Sequence, residues 1–421
     1  MIRYEMMIRL KVYARLKTRS KLFCGCSASM AAPANSHCCP ICLGLPGSLP
    51  VLNGRALELA AITALTLNCS IERHLHFDRK HCIDPAIPKG YQICQHGCPL
   101  GTNGYFKLKL SRGEKPVKIA RVHLEEAAAQ PVYDHALITN SGYTGGVDYN
   151  RAGIPLVKIV SGPDLSSPHE ACRYLEELRL LLIYAGVSDC IAEEDGLLFD
   201  IDMALKSPGD ERRGMAVKIK NMKSIDNVEK ALAYEAKRQA RAGVGGEEAR
   251  EETRYWGEVA RKTYPLKDME DASDYLYFPE PDLPPVNLKE GWIKRVKEMV
   301  PELPDARRER LRTQYSLNKN EVEILIADPG LSDYFEQKAR QEKDFRKLAR
   351  RICGDVSHML KKEERTTPEM DSSALTETPH RVNKEKINRA SVQKILAETR
   401  PNNERPAKLV NPQEHESIEK K

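Results

Sequence analysis

From Met6 to Leu16 apolar residues fall on alternate positions (Met6, Ile8, Leu10, Val12, Ala14, Leu16), with Arg9, Lys11, Tyr13 and Arg15 between them. A period of two predicts a strand with one face in a core and the other toward solvent or a cleft. Shorter alternations recur at Phe106, Leu108 and Leu110, at Val117 and Ile119, at Phe199, Ile201 and Met203, and at Val217 and Ile219. Separated strands of this kind predict a largely antiparallel sheet.

Helical periods interrupt them. Ser167-Pro168-His169-Glu170 reads as a capping box with proline at the first helical position. The stripe Ala171, Tyr174, Leu175, Leu178, Leu181, Leu182 and Ala185 follows at helical spacing, and Gly186 can end it in the left-handed conformation. Similar signals predict helices from Asp226 to Gly243 and from about Gly54 to Asn68. With no regular βαβ repeat, the class is α+β, a mostly antiparallel sheet with flanking helices. The proline-rich run Tyr277 to Pro285 predicts a rigid extended connector. From about Trp292 to Lys361 the pattern is helical, and beyond Glu363 it is strongly polar. One short helix, Val382 to Thr399, is expected there, with disorder after it. Three domains follow: an α+β domain over 1–290, a helical domain over 291–362 and a polar tail over 363–421.

Composition narrows the class. The 421 residues suffice for a large core, and 41% hydrophobic against 30% charged is a globular balance. A net charge of +6 does not by itself diagnose nucleic-acid binding, though it suits a phosphate-rich partner. No apolar run approaches the roughly 20 residues that span a bilayer, and the N-terminus lacks a signal-peptide layout. A cytoplasmic protein with no membrane partner is expected. In that reducing compartment the cysteines are not read as disulfides. Cys69, Cys172, Cys190 and Cys353 lie in apolar or helical surroundings and read as small core residues.

Three groups carry candidate chemistry. Cys24-Gly25-Cys26 and Cys39-Pro40-Ile41-Cys42 are close pairs separated by a loop, able to set four thiolates around a closed, structural zinc. The plainer alternative is four unliganded thiols, and His37 and Cys38 are nearby substitutes. The acids Glu125 and Glu126 end a strand, and Glu193, Glu194 and Asp195 precede the strand holding Asp200 and Asp202. Carboxylates at strand ends can hold magnesium against phosphates, although paired acids often form only a solvated edge. Asp78-Arg79-Lys80 and Pro88-Lys89-Gly90-Tyr91-Gln92 offer cations and a stacking ring for phosphate or RNA, or are ordinary surface turns. There is no Walker loop, dinucleotide fingerprint or nucleophile elbow, so any ATP would be held by another fold.

Several stretches resemble one family in its own order: KLFCGCS (21–27), CPICLGLPGSLPVLNGRALELA (39–60), FDRK (77–80), PKGYQICQ (88–95), VHLEE (122–126) and VDYNRAGIPL (147–156). YLEELR (174–179), GVSD (186–189), VEKALAYEAKRQ (228–239), ETR (252–254) and DYLYFPEPDLPP (274–285) complete the set. The chain resembles the GatB family, the B-subunit of the Glu-tRNA(Gln)/Asp-tRNA(Asn) amidotransferase. The resemblance implies a glutamine-synthetase-like catalytic fold, a helical cradle domain and a YqeY-like tRNA-binding tail. It implies that ATP phosphorylates the side-chain carboxylate of Glu-tRNA(Gln) or Asp-tRNA(Asn). Ammonia from glutamine, released by the amidase A-subunit, then displaces phosphate in a complex that includes a small C-subunit. On that resemblance Glu125, Glu126, Glu193, Glu194 and Asp200 are the catalytic candidates, with Glu125 and Glu126 on magnesium. Lys80, Lys89, Tyr91, Gln92, Asn150 and Arg151 are the substrate and tRNA candidates, and Cys24, Cys26, Cys39 and Cys42 hold zinc.

The chain also departs from the family. Gly-Leu-Glu-Val-His of the first strand, whose Glu and His help to hold the catalytic metal, is here Arg9-Leu10-Lys11-Val12-Tyr13, and Lys158 replaces an acid after Pro155-Leu156. Glu-Glu-Asp-Ala-Gly becomes Glu125-Glu126-Ala127-Ala128-Ala129, and Arg-Cys-Asp becomes Leu198-Phe199-Asp200. The segment Ala390 to Thr399 resembles the start of the family's tail, most of which is missing. Lysine has no acceptor for a metal, and a like-charge contact at ~4 Å costs roughly 4 kcal/mol at an intermediate dielectric. Three readings therefore stand: an amidotransferase component with a divergent site, an inactive paralogue serving as scaffold or tRNA-binding protein, and a zinc-bearing RNA-binding protein outside any such complex.

Overall fold

The computed structural model describes residues 4–111, 113–139, 142–191, 195–206, 216–244, 252–266, 275–342 and 344–354. Glu193, Glu194 and the helix expected at Val382 to Thr399 lie outside them. The chain divides into two compact units, Met1–Arg307 and Arg308–Lys421.

In the first unit the predicted strand spans Glu5–Arg15, and its alternation is realised, with Ile8, Leu10, Val12 and Ala14 fully buried. It is central to the sheet. Pro155–Ser161 and Leu197–Lys206 flank it, both antiparallel. On one side the order continues through Gly113–Glu126, Tyr91–Cys94 and Asp78–His81 to the edge strand Tyr277–Pro279. On the other side it runs through Ala216–Met222 and Glu252–Gly257 to Lys262–Pro265. The pairing of Ala216–Met222 with Glu252–Gly257 is parallel.

Helices cover one face of this sheet, where Val122, Leu124, Val157, Ile159, Phe199 and Ile201 are buried with Leu59, Leu175, Leu178 and Val228 of the helices. Gly54–Thr66 is capped by Asn53, whose side chain accepts from the N–H groups of Arg55 and Ala56. Pro168–Tyr184 is capped by Ser167, which accepts from Glu170 N–H at 3.1 Å. The reciprocal half of the expected box is re-aimed: the Glu170 carboxylate accepts from Ser166 N–H (2.8 Å) and Lys115 (2.7 Å). Gly186 takes the left-handed conformation (φ +67°) after this helix. Close packing also has a backbone requirement at Gly104, where a Cβ would lie 2.5 Å from the Leu67 carbonyl oxygen. The helix Ile225–Val244 is tied to the far strands by Glu235, wholly buried, which accepts from Thr263 (2.7 Å) and pairs with Arg238 (2.6 Å).

The first three residues of the expected connector join the sheet. Tyr277–Pro279 pairs with Asp78–His81 as the outermost strand, the position where a proline's missing N–H does least harm. Glu280 then buries its carboxylate on Arg79 with two bonds of 2.7 and 2.9 Å, and Asp282 takes the same guanidinium at 2.9 Å. The helix Glu290–Glu298 also belongs to this unit, since Trp292, Ile293 and Val296 pack on its core.

The second unit contains the helices Lys319–Ile326 and Pro329–Ala339. Asn318 and Glu321 form a full capping box on the first, and Asp328 caps the second. Leu325, Ile326, Leu331, Phe335, Leu348 and Ile352 are buried there, and the Tyr315 ring packs edge-on against Phe335 and Phe345.

Candidate functional site

The strand period that buries one face of the sheet commits the other face to polar side chains. Register places Lys11 and Tyr13 beside Lys158, Asp200 and Asp202, and Lys158 opposite His123, with Glu125 two positions further on. Cys94 pairs with Glu125, and Gln92 pairs with Lys80 beyond it. Asp200, Asp202 and Glu125 on this face are already engaged. Lys11 Nζ lies 2.9 Å from Asp202, and Tyr13 donates its hydroxyl to Asp200 at 3.0 Å. Asp200 also accepts from Asn221 N–H (3.0 Å), and Lys158 Nζ donates to Glu125 at 3.2 Å.

Burial sets the electrostatics. Burial alone would raise the Glu125 pKa, yet the Lys158 ammonium, a hydrogen bond from His123 and Lys80 together hold it far below the usual carboxylate range. His123, 3.7 Å from Glu125, is driven down to about 4 by burial, with Lys158 adding to the effect. Burial and Asp200 keep the Tyr13 phenol well above its ordinary pKa.

A second constellation lies at the end of the sheet. The four sulfurs of Cys24, Cys26, Cys39 and Cys42 lie within 4.8 Å of one another and could hold a metal ion. None of the twelve cysteines is in a disulfide. Cys39 caps the short helix Pro40–Leu43, so Cys42 returns to the cluster within one turn and accepts from Cys39 N–H at 3.2 Å. Gly44, left-handed at φ +70°, reverses the chain against Lys89, where a Cβ would lie 2.9 Å from the Lys89 backbone. A hydrogen bond from the Cys24 thiol pulls Cys42 down to about 4 against burial, and Lys21 assists from 3.6 Å. The same bond raises Cys24, and burial raises Cys26 to about 11. Four soft donors in a closed set are the chemistry of a structural zinc site.

The family model of the GatB/GatE catalytic domain matches residues 6–294, and that of the GatB domain matches 333–421. The chain is 40% identical to the aspartyl/glutamyl-tRNA(Asn/Gln) amidotransferase B-subunit of Thermodesulfovibrio yellowstonii over 94% of its own length and 83% of that protein. It is 42% identical to the B-subunit of Moorella thermoacetica over 85% of its length and 74% of that protein. It is 37% identical to the B-subunit of Ruminiclostridium cellulolyticum over 97% and 84%. The chain belongs to the GatB/GatE family.

Family membership raises magnesium as a candidate, and the donors on the open face do not fit it. Octahedral magnesium needs oxygens converging at roughly 2.1 Å. Among the described residues, ligand atoms of three or more Cys, His, Asp or Glu gather only at the cysteine cluster. A divalent ion ~4 Å from an ammonium would cost roughly 8 kcal/mol at an effective dielectric near 20, and Lys11 and Lys158 each stand on a carboxylate it would need.

The remaining sequence candidates separate. Glu125 and Glu126, adjacent in the strand, point to opposite faces as the period of two requires. Glu126 belongs with the cysteine region, where it is buried, pairs with Lys89 and accepts from Ile93 N–H at 2.7 Å. Lys89, Tyr91, Cys24, Cys42 and Glu126 line one small cavity of about 70 Å³. Gln92 donates to the Glu126 carbonyl at 3.0 Å, and Lys80 lies over the Tyr275 ring at 4.0 Å. Asn150 is buried and pins the 33–38 loop, accepting from His37 N–H and donating to the Pro33 carbonyl, both at 2.7 Å. Arg151 pairs with Asp195. His37 and Cys38 remain outside the sulfur cluster. Sequence reasoning did not single out Lys21, fully buried beside Cys42, or Asp202 as the partner of Lys11. Strand parity puts Asp202 on the same face as Asp200 but does not set it beside Lys11, and no local signal marks Lys21.

Proposed function

We propose that this chain is the B-subunit of a tRNA-dependent amidotransferase, a carbon–nitrogen ligase in protein biosynthesis. The observation that carries the reading is the family match across residues 6–294 together with a polar sheet face inside that span. ATP would phosphorylate the side-chain carboxylate of Glu-tRNA(Gln) or Asp-tRNA(Asn), and ammonia would displace phosphate to give the amide. Activation is needed because a carboxylate is a poor acyl donor and an acyl phosphate a good one. The partners would be the amidase A-subunit, which frees ammonia from glutamine, and the small C-subunit, all in the cytoplasm.

The residues of the open face suit parts of this chemistry. Lys80, Arg121 and Lys158 offer donors to phosphate oxygens. Lys158, the His123 hydrogen bond and Lys80 keep Glu125 ionised. Its hold on Lys158 fixes that ammonium in place. A zinc held by Cys24, Cys26, Cys39 and Cys42 would brace the 20–53 loops and take no part in the reaction.

The test is co-expression with the A- and C-subunits of the same organism and an assay of ATP- and glutamine-dependent formation of Gln-tRNA(Gln) or Asn-tRNA(Asn). Turnover that is lost in Lys158→Met supports the reading. An assembled, folded complex without turnover overturns it and leaves a scaffold.

A further inference from the structure

We propose that the open face takes polyphosphate directly on ammonium groups, with no divalent cation between carboxylate and phosphate. The proposal deepens the amidotransferase reading by stating how that face would receive ATP.

Lys11 and Lys158 sit where a bridging cation would sit, each between a carboxylate and solvent: Lys11 on Asp202 (2.9 Å) and Lys158 on Glu125 (3.2 Å). Their side chains are 26% and 19% exposed, so both ammonium groups keep contact with solvent. An ammonium carries three donors and no acceptor. Among the described residues Asp202 is the carboxylate bound by Lys11 and Glu125 the one bound by Lys158, which leaves each lysine N–H capacity for a second anion. Register makes the two lysines diagonal neighbours on adjoining strands, since Tyr13 pairs with Lys158 and Lys11 follows two positions away. Diagonal neighbours lie roughly 7–8 Å apart, a span that a di- or triphosphate can bridge.

The surroundings favour an anion. Arg9 and Arg121 lie on the same face, and each has a buried guanidinium Nε without a hydrogen-bond partner. Arg121 donates from Nη2 to the carbonyls of Gln95 (2.8 Å) and His96 (2.6 Å), and among the described residues it forms no ion pair with a carboxylate. Magnesium bound with a nucleotide serves to neutralise phosphate charge; here fixed ammonium groups already stand in that place. They also neutralise the acids that would otherwise recruit the ion.

The experiment is calorimetric binding of inorganic tripolyphosphate to the full chain in buffer stripped of free divalent cations, with and without added magnesium. Zinc content is checked before and after. Binding without magnesium, weakened about tenfold or more in Lys11→Met/Lys158→Met, is the expected result. Binding that requires magnesium, or no binding in either buffer, overturns the proposal. Manganese electron paramagnetic resonance gives a second readout. Wild type should hold no ion on this face, whereas a bound ion lost in Asp200→Asn or Glu125→Gln would overturn the proposal. Neither measurement uses tRNA or the other two components of the complex, so failure here is distinct from failure of the amidation assay.

Discussion

The cysteine cluster and the open face of the sheet belong to one compact unit, yet they solve the problem of buried charge in opposite ways. At the cluster four like donors converge within 4.8 Å with Lys21 close by, a set that could hold one cation. On the open face the carboxylates are dispersed, and each has a cation or a phenol of its own: Lys11 for Asp202, Lys158 for Glu125, Tyr13 for Asp200. The first region gathers soft donors that one metal ion could share. In the second each acid already has its own partner, which leaves a metal nothing to gain.

Removing metal should therefore divide the two regions more sharply than anything else. One zinc per chain is expected, with none in Cys42→Ser. Because binding free energy at such sites is folding free energy, on the order of 10 kcal/mol in small zinc domains, chelation should open the 20–53 segment to protease. The strands around Lys11 and Lys158 should stay protected. Hydrogen exchange followed by mass spectrometry resolves this. Equal deprotection of both regions would show that the cluster holds up the whole unit.

A smaller effect is expected from Lys89→Met. Its partner Glu126 is buried with it, and removing one member of a buried pair costs about 3–5 kcal/mol because the other stays charged and desolvated. Urea denaturation of Lys89→Met and of Lys89→Met/Glu126→Met should show the double variant recovering most of the loss. A double variant as unstable as the single one would place the cost in packing against Phe23 and Gly44.

The contrast also explains what could be read in advance. The helix cap at Ser167, the alternation from Met6 to Leu16 and the cysteine spacing are local patterns, and local patterns survive translation into structure. The pairing of Lys11 with Asp202 spans 191 positions and depends on the register of neighbouring strands, which no local period encodes. Lysines that looked from the sequence like pure obstacles to a metal thus turn out to be the counter-ions of the acids. Glu125 and Glu126, adjacent in sequence, are parted by the same alternation that identifies the strand. The run Tyr277 to Pro279 was legible as extended backbone, but its place as an edge strand on Asp78–His81, beside the Glu280–Arg79 pair, again depends on long-range contacts.

The least disruptive probe of the open face is His123→Gln, and its effect lies in the pH dependence. Burial drives His123 down to about 4 from an ordinary 6.5, so it is neutral in the fold and charged in the unfolded chain across that interval. The unfolded state then binds more protons, and stability falls as pH drops from 6.5 toward 4, by about 3 kcal/mol for a shift of this size. Glu125, whose pKa is depressed instead, keeps its contribution until the pH falls below the unfolded carboxylate range of about 4.3. The two windows hardly overlap, so His123→Gln should flatten the urea midpoint between pH 6.5 and 4 and leave the part of the acid limb that Lys158 and Lys80 supply. His96, also lowered by burial, accounts for a residual slope. An unchanged slope in His123→Gln would mean that His123 is already protonated on Glu125. In that case the face carries one more fixed positive charge, and the two regions differ more than their ion pairs alone indicate.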